Sequence, residues 1–286
     1  YIHAQTADSS TTKLCGLPTH FKCIDEMMGG LQSSDLIILA GRPAMGKTSL
    51  ATNIAFNVAN AYDPKSKEKK GAPVCLFSLE MSADQIATRI ISEQAGVSSS
   101  IVKRGMMDQF QKEKFVNAYN NVRKIPLFID DTGIMSINSM MSVARRLKDQ
   151  HDIGLIVIDY IQLITGEKDI KGGNRCQEIG EISRGLKAMA KDLNIPIIAL
   201  SQLSRSVESR QDKRPLLSDL RESGSIEQDA DIVLFVYRDD YYNKANDQNF
   251  YGETGTAEVI IAKHRHGRTG TIELLFNPKM TKFSDI

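Results

Sequence analysis

Residues 41–48, with the sequence GRPAMGKT, constrain the fold of this chain more than any other stretch. They match the pattern G-x-x-x-x-G-K-[ST] at every position, and that pattern is typical of a phosphate-binding loop. An apolar run at 36–40 precedes the loop and predicts a buried strand, and residues 48–61 carry apolar side chains at helical spacing. A strand, a glycine loop and a helix, in this order, are the context that the pattern requires.

The residue types in this loop suit a polyphosphate. Glycines at 41 and 46 leave space for backbone N–H groups to converge on phosphate oxygens. The following helix directs unpaired amides at the anion, Lys47 supplies a charge for the outer phosphates, and Thr48 supplies an oxygen for Mg²⁺. We therefore predict a nucleotide-binding segment made of Gly41, Arg42, Pro43, Ala44, Met45, Gly46, Lys47, Thr48 and Ser49.

Size and composition favour one large soluble α/β domain. The chain has 286 residues, of which 41% are hydrophobic and 25% charged. A net charge of +1 gives no sign of a polyanionic partner, so any contact with nucleic acid must come from locally placed basic residues. The chain begins with Tyr1 rather than Met, and we expect it to be a fragment of a longer protein.

The cysteines and the hydropathy pattern indicate a cytoplasmic protein. The four cysteines lack C-x-x-C spacing, and Cys75 lies in an apolar run where a buried thiol is expected. We therefore predict a reduced chain without a structural metal. No apolar stretch is long enough to cross a membrane, and no signal peptide is recognisable.

Three further apolar runs end in polar side chains, at Glu80, Asp159 and Gln202. Strands and helices alternate along this part of the chain, which predicts a mostly parallel central sheet flanked by helices on both faces. Ligands bind beyond the carboxyl ends of such strands, so we expect these three side chains to meet the glycine loop. Asp130 and Asp131 end another predicted strand, and there we favour capping of the element that follows over a catalytic role.

The last third of the chain differs in character. Residues 203–224 are predicted to form a long polar loop, and 231–237 a strand. The segments 257–263 and 269–276 are predicted to pair as a β-hairpin.

Several motifs together resemble the C-terminal motor domain of the DnaB-type bacterial replicative DNA helicases, a branch of the RecA-like ATPases. Besides the glycine loop they are FSLEMS at 77–82, IDYIQL at 158–163, ALSQLSR at 199–205, DLRESGSIEQDAD at 219–231 and IAKHRHG at 261–267. The resemblance covers nearly the whole chain. It implies a RecA-like P-loop NTPase fold with a C-terminal β-hairpin, and ATP and Mg²⁺ as ligands.

The resemblance also implies a role for each strand-end residue. Lys47 and Thr48 would bind phosphate and Mg²⁺, Asp159 would hold the metal, and Glu80 would polarise the attacking water. Gln202 would sense the γ-phosphate. Each role agrees with the interpretation from the strand ends alone.

Three basic residues carry further implied roles. Arg89, on the helix after Glu80, resembles the family's nucleotide-contacting arginine; from its spacing alone, a surface charge is the alternative. Lys263 and Arg265 resemble a pair that reaches the ATP site of a neighbouring subunit, where a cation stabilises phosphoryl transfer. His264 and His266 are expected to be surface residues at the hairpin tip rather than ligands.

For DNA, the resemblance points to Arg221, Glu222 and Gly224 on a loop that faces a central channel. Such contacts would hold the phosphates of one strand without reading sequence. The alternative for Arg221 is an ion pair with Glu222 or Asp219. The implied partners are single-stranded DNA at the replication fork, identical subunits in a homohexameric ring and, for a full-length protein, a primase and a helicase loader.

The resulting hypothesis is an ATP-dependent DNA helicase motor that translocates on single-stranded DNA with 5′–3′ polarity. It assigns residues 1–13 to a linker or N-terminal arm and 14–286 to the motor domain. One alternative is another RecA-like ATPase, a recombinase or a clock-type enzyme, which would share the loop and the strand-end acids. A second alternative is a nucleotide-binding DNA-loading module that does not unwind.

Overall fold

The computed structural model describes residues 14–66, 68, 70–166, 175–243 and 254–286, with only the backbone described at 175, 221–224 and 243. The predicted linker at 1–13 therefore lies outside the described residues, as do most of the loop at 165–175 and of the irregular stretch at 238–254.

The strands of the described residues form one nine-stranded sheet in the order β3-β2-β4-β5-β1-β6-β7-β8-β9. Pairing is parallel from β3 to β6 and antiparallel from β6 to β9. The strands are β1 (Leu36–Gly41), β2 (Val74–Ser78), β3 (Leu127–Asp130), β4 (Leu155–Asp159), β5 (Ile197–Gln202), β6 (Ile232–Tyr237), β7 (Gly255–His264), β8 (Gly270–Asn277) and β9 (Lys282–Ser284).

The helices cover both faces of this sheet. They are α1 (Lys22–Met28), α2 (Lys47–Asn60), α3 (Ala83–Ala95), α4 (Ser99–Lys103), α5 (Gln109–Val122), α6 (Ile137–His151), α7 (Arg175–Leu193), α8 (Gly224–Asp229) and α9 (Asp239–Asn243). Short 3₁₀ helices span Ile161–Leu163, Arg205–Ser209 and Leu217–Ser223. The prediction of one long loop at 203–224 was wrong, because two of these 3₁₀ helices lie within it.

Side chains alternate between two cores, as a strand buried on both faces requires. Ile37 and Leu39 of β1 pack with α2 and α3 on one face, whereas Leu36 and Ile38 pack with α6 and α7 on the other. Cys75 is fully buried among these apolar side chains, and burial raises the pKa of its thiol to about 12. The predicted parallel sheet with helices on both faces is confirmed.

The C-terminal hairpin is confirmed, and a third strand extends it. β7 and β8 pair along their length, from Gly255 opposite Phe276 to Ile261 opposite Gly270. The short strand β9 then returns along β8 and places Phe283 against the start of α2. Among the described residues, no helix has the length and apolar character needed to cross a membrane.

Candidate functional site

The carboxyl ends of β1, β2, β4 and β5 surround a cleft of about 440 Å³. Ten predicted residues line it, and three that the sequence did not indicate, Tyr160, Phe276 and Thr281, line it as well. The predicted residues are Pro43, Ala44, Gly46, Lys47, Thr48, Ser49, Glu80, Arg89, Asp159 and Gln202.

The glycine loop connects β1 directly to α2. Gly46 has φ of 97°, a conformation that favours glycine, and a Cβ at this position would lie 3.0 Å from the Phe283 ring. A Cβ on Gly41 would lie 2.9 Å from the carbonyl oxygen of Val236. Close packing therefore requires glycine at both positions.

Lys47 lies at the first turn of α2, and its ammonium group is held by the loop itself. Its Nζ donates to the carbonyl oxygens of Gly41 at 2.7 Å and Arg42 at 3.3 Å. Burial lowers the pKa of Lys47 to about 8, against the opposing effect of the Asp159 and Glu80 carboxylates. The amine therefore lies in the cleft and loses its proton at a lower pH than an ordinary lysine does.

Asp159 ends β4 and is buried, with 4% of its surface exposed. Burial raises the pKa of its carboxyl group, while a hydrogen bond with Thr48 lowers it. Its Oδ2 atom has no hydrogen-bond partner among the described residues. A buried oxygen without a partner beside a threonine hydroxyl suits a hard divalent cation, so these residues fit Mg²⁺.

The ends of β2, β4 and β5 are tied together by hydrogen bonds. Leu79 N donates to the carbonyl oxygen of Asp159 at 2.8 Å, which fixes the position of Glu80 next to the β4 end. The side chain of Gln162 bridges to β5, because its Nε2 donates to Ser201 Oγ at 3.0 Å and its Oε1 accepts from Gln202 N at 3.4 Å. Gln162 belongs to the IDYIQL motif, but only its place on a 3₁₀ turn identifies this bridging position.

Arg42 uses its side chain for a contact within the protein. The guanidinium donates to Glu208 Oε1 through Nε at 2.9 Å and through NH2 at 2.7 Å, and to the carbonyl oxygen of Leu203 at 2.9 Å. Neither Arg42 nor the buried Met45 lines the cleft. Any contact of these two predicted residues with phosphate would come from their backbone.

Arg89 and the two strand-end aspartates have distinct surroundings. Arg89 projects from α3 into the cleft, where its charge opposes the rise that burial causes in the pKa of Asp159. Asp131 accepts a hydrogen bond from Ala83 N at 2.9 Å and so caps the start of α3. Asp130 accepts from Thr132 N at 3.0 Å. The prediction that these residues cap the following element is wrong for Asp131, because the helix that it caps precedes it in the chain.

Lys263 and Arg265 lie at the opposite edge of the parallel strands. Lys263 is paired with Val233 near the start of β6, and its Nζ donates to the carbonyl oxygens of Glu227 at 2.5 Å and Ala230 at 2.7 Å. Arg265 forms an ion pair of 2.9 Å with Asp231, while 44% of its side chain remains exposed. Neither residue lines the cleft of its own chain.

The predicted DNA residues fall where only the backbone is described. Arg221 and Glu222 belong to the 3₁₀ helix Leu217–Ser223, and Gly224 is the first residue of α8. Their side chains lie outside the described residues. Asp219, considered above as a partner for Arg221, is bonded to Arg210.

Tyr160 directly follows β4, and the other two additional cleft residues come from the C-terminal strands. Phe276 of β8 and Thr281, just before β9, approach the glycine loop from the side of the hairpin. Arg238 stacks on Phe276, with its guanidinium carbon 4.2 Å from the ring centroid. These residues are more than 190 positions from the glycine loop, and no local pattern in the sequence connects them to it.

Comparison with known proteins identifies the family. The sequence model of the DnaB-like helicase C terminal domain matches residues 16–285. The chain is 46% identical over 286 residues to the replicative DNA helicase DnaB of Geobacillus stearothermophilus, covering 100% of this chain and 60% of that protein. It is 44% identical over 273 residues to the replicative DNA helicase DnaC of Bacillus subtilis strain 168, covering 96% of this chain and 57% of that protein.

Solved structures agree with this result. A solved ATPase domain superimposes with a TM-score of 0.87 at 37% identity, covering 98% of this chain and 94% of that one. This chain spans only about 60% of the length of the curated relatives that it matches. The match nevertheless extends over almost all of the present sequence, and the chain therefore belongs to the family of DnaB-like helicase C-terminal domains.

Proposed function

We propose that residues 14–286 form the motor domain of an ATP-dependent replicative DNA helicase. The observation that carries the proposal is the cleft, in which one phosphate-binding loop meets Glu80, Asp159 and Gln202 from three other strands. Relatives named replicative DNA helicase, at 44–46% identity, support it. ATP is the proposed substrate, and the arrangement is that of a nucleoside triphosphate hydrolase.

Each side chain in the cleft has a proposed task. Lys47 binds the outer phosphates. Gln202, at the end of β5, contacts the γ-phosphate and senses its presence. Glu80 accepts a proton from the attacking water. Thr48 and Asp159 would hold Mg²⁺, which when bound neutralises charge on the phosphate oxygens. Arg89 contributes positive charge on the side of α3.

A neighbouring subunit is proposed to complete the site. Arg265 is level with the start of β1, since its N–H bonds to Asp231, whose N–H bonds to Leu36. At about 3.3 Å per residue, the five residues from Leu36 to Gly41 separate Arg265 from the glycine loop by roughly 17 Å along the sheet. Arg265 is therefore too far from its own cleft to act there, and the Lys263 ammonium is bonded to the carbonyl oxygens of Glu227 and Ala230. In a ring, both residues would serve an adjacent cleft.

The DNA and protein partners follow from the same proposal. Arg221, Glu222 and Gly224 would hold the phosphates of single-stranded DNA in the channel of a homohexamer. One similar structure, with a TM-score of 0.86, is described as a DnaB-like replicative helicase and its interactions with primase. A primase and a helicase loader are accordingly proposed partners of a full-length protein in the cytoplasm.

A fork-unwinding assay tests the proposal. The chain is incubated with ATP and Mg²⁺ on a forked duplex with a 5′ single-stranded tail on the translocating strand, and strand release is measured. Unwinding that requires ATP and the 5′ tail is the expected result. ATP binding without hydrolysis or strand release would instead identify a nucleotide-binding loading module.

A further inference from the structure

The segment between the γ-phosphate sensor and the proposed DNA residues is attached to the glycine loop by an ion pair. Glu208 lies on the 3₁₀ helix Arg205–Ser209 and accepts two hydrogen bonds from Arg42. The guanidinium side chain is 8% exposed, whereas the carboxylate side chain is 50% exposed. Leu203 adds two contacts, since its carbonyl oxygen accepts from Arg42 and its N–H donates to Gly41 O at 3.4 Å.

A second ion pair continues from this 3₁₀ helix toward α8. Arg210 donates to both carboxylate oxygens of Asp219, at 3.2 Å and 2.8 Å. Asp219 is 5% exposed and also accepts from Leu216 N at 2.7 Å. The carbonyl oxygen of Asp219 accepts from Ser204 N at 3.1 Å, so the two ends of the stretch between Ser204 and Asp219 are joined directly.

We propose that these two ion pairs, Arg42–Glu208 and Arg210–Asp219, form a relay that positions the segment at 217–229 according to the state of the nucleotide. The proposal rests on the proposed function, since it links the ATP cleft to the proposed DNA residues. In this relay Glu208 and Arg210 are positioning residues that touch neither nucleotide nor DNA.

The burial of Arg42 explains why movement would be transmitted. A guanidinium with little access to water keeps a strong requirement for its counter-charge and its carbonyl partner. When a bound triphosphate rearranges the glycine loop, Glu208 is therefore drawn along with Arg42. The 3₁₀ helix is joined internally, since Arg210 N donates to the carbonyl oxygen of Val207 at 3.3 Å and Ser209 Oγ donates to that of Ser206 at 2.7 Å, so the helix moves as a unit. Arg210 extends the displacement to Asp219.

Hydrogen exchange with and without a nonhydrolysable ATP analogue tests the relay in Glu208→Gln. In the wild-type chain, the analogue is expected to slow exchange of the amides at 217–220 and 225–229 about tenfold. In Glu208→Gln this slowing is lost, while affinity for the analogue stays within about threefold because the cleft is intact. Arg210→Gln, which removes the second ion pair, is expected to lose the same response.

Asp192→Asn is the matched control. It removes a surface ion pair with Arg145 whose carboxylate side chain is 48% exposed, close to the 50% of Glu208. Asp192 lies near the end of α7, away from the cleft, so this variant should keep the full exchange response. Equal melting temperatures of the three variants would exclude a general loss of stability.

The outcomes separate the relay from the proposed function. If Glu208→Gln keeps the wild-type response, or the wild-type chain shows none, the relay is wrong. ATP hydrolysis is measured on the same samples. A chain that binds the analogue and shows the relay but never hydrolyses ATP would overturn the motor function and leave the relay in place.

Discussion

Glu80 is the residue on which hydrolysis is proposed to depend. It follows β2 with its side chain exposed to the cleft, where its charge acts on the ammonium group of Lys47. Glu80→Gln should retain ATP binding within about threefold and lose about 10²–10⁴-fold in kcat, since the amide cannot accept the proton of water. Steady-state ATPase and binding assays measure the two effects. Glu113→Gln, on an exposed turn of α5, should change neither, and near wild-type turnover in Glu80→Gln would refute the assignment.

Lys47 gives the site a characteristic pH dependence. Its pKa is lowered by burial to about 8, and the proposed ATP substrate would bind the protonated amine in preference to the neutral one. Above that pH, binding must first take up a proton, so ATP affinity should fall by up to about tenfold per pH unit. Titration calorimetry across this range measures it. Lys47→Arg keeps its charge and should show a flat profile; a flat wild-type profile would contradict the role of the amine.

Arg221 carries the residue-scale prediction for DNA. Arg221→Ala should weaken binding of single-stranded DNA equally for all sequences, because a phosphate contact reads no base. The slope of log affinity against log salt should fall by about 0.7. Fluorescence anisotropy at several salt concentrations measures both, with the exposed Arg146→Ala on α6 as the control. An unchanged slope would remove Arg221 from the DNA path.

At the scale of elements, β9 packs against the glycine loop and the helix that follows it. Asn53 of α2 accepts a hydrogen bond from Phe283 N at 2.8 Å and donates to Glu93 Oε2 of α3 at 2.6 Å. Glu93 also lies 3.7 Å from the ammonium of Lys282. Since Phe283 packs against Gly46, these bonds join α2, α3 and β9 around the glycine loop.

Glu93 makes this junction sensitive to pH. Burial raises its pKa to about 7 from an ordinary value of 4.5, so the folded chain binds its proton more tightly than the unfolded chain. The resulting stability is complete below the unfolded pKa and is lost as pH rises through about 7. At pH 8, Glu93→Gln should therefore raise the free energy of unfolding by about 2 kcal/mol relative to wild type. Urea unfolding at several pH values tests this, and the exposed Glu26→Gln should show no such difference.

The same elements show what the sequence could and could not predict. Apolar runs or alternating patterns are long enough to show a period in β1, β4, β7 and α2. The positions of these elements were therefore predicted closely. β9 has three residues, too few for any period, and its role depends on contact with Gly46 across more than 230 residues. Arg42 belongs to a recognisable motif, but its partner Glu208 is 166 positions away. Long-range pairing of this kind leaves no local pattern.

At the scale of the whole molecule, the two proposed functional regions lie at opposite ends of the parallel strands. The cleft lies at the carboxyl ends of the parallel strands, whereas Arg265 lies at their amino ends beside Asp231. One chain therefore presents the proposed catalytic site at one edge and an exposed cation at the other. Copies arranged head to tail would join these edges, and such heterologous contacts close into a ring when the rotation between neighbouring copies returns to the first copy.

Mixing two inactive variants tests this arrangement. Arg265→Ala subunits keep an intact cleft, and Lys47→Ala subunits keep an intact Arg265. In a random equal mixture roughly a quarter of the interfaces would combine the two intact parts, so ATPase activity should recover toward that fraction of the wild-type rate. Replacing the second partner by the double variant Lys47→Ala/Arg265→Ala removes the donated cation and should abolish the recovery. Equal, negligible activity in both mixtures would mean that Arg265 does not act on the cleft of a neighbouring subunit.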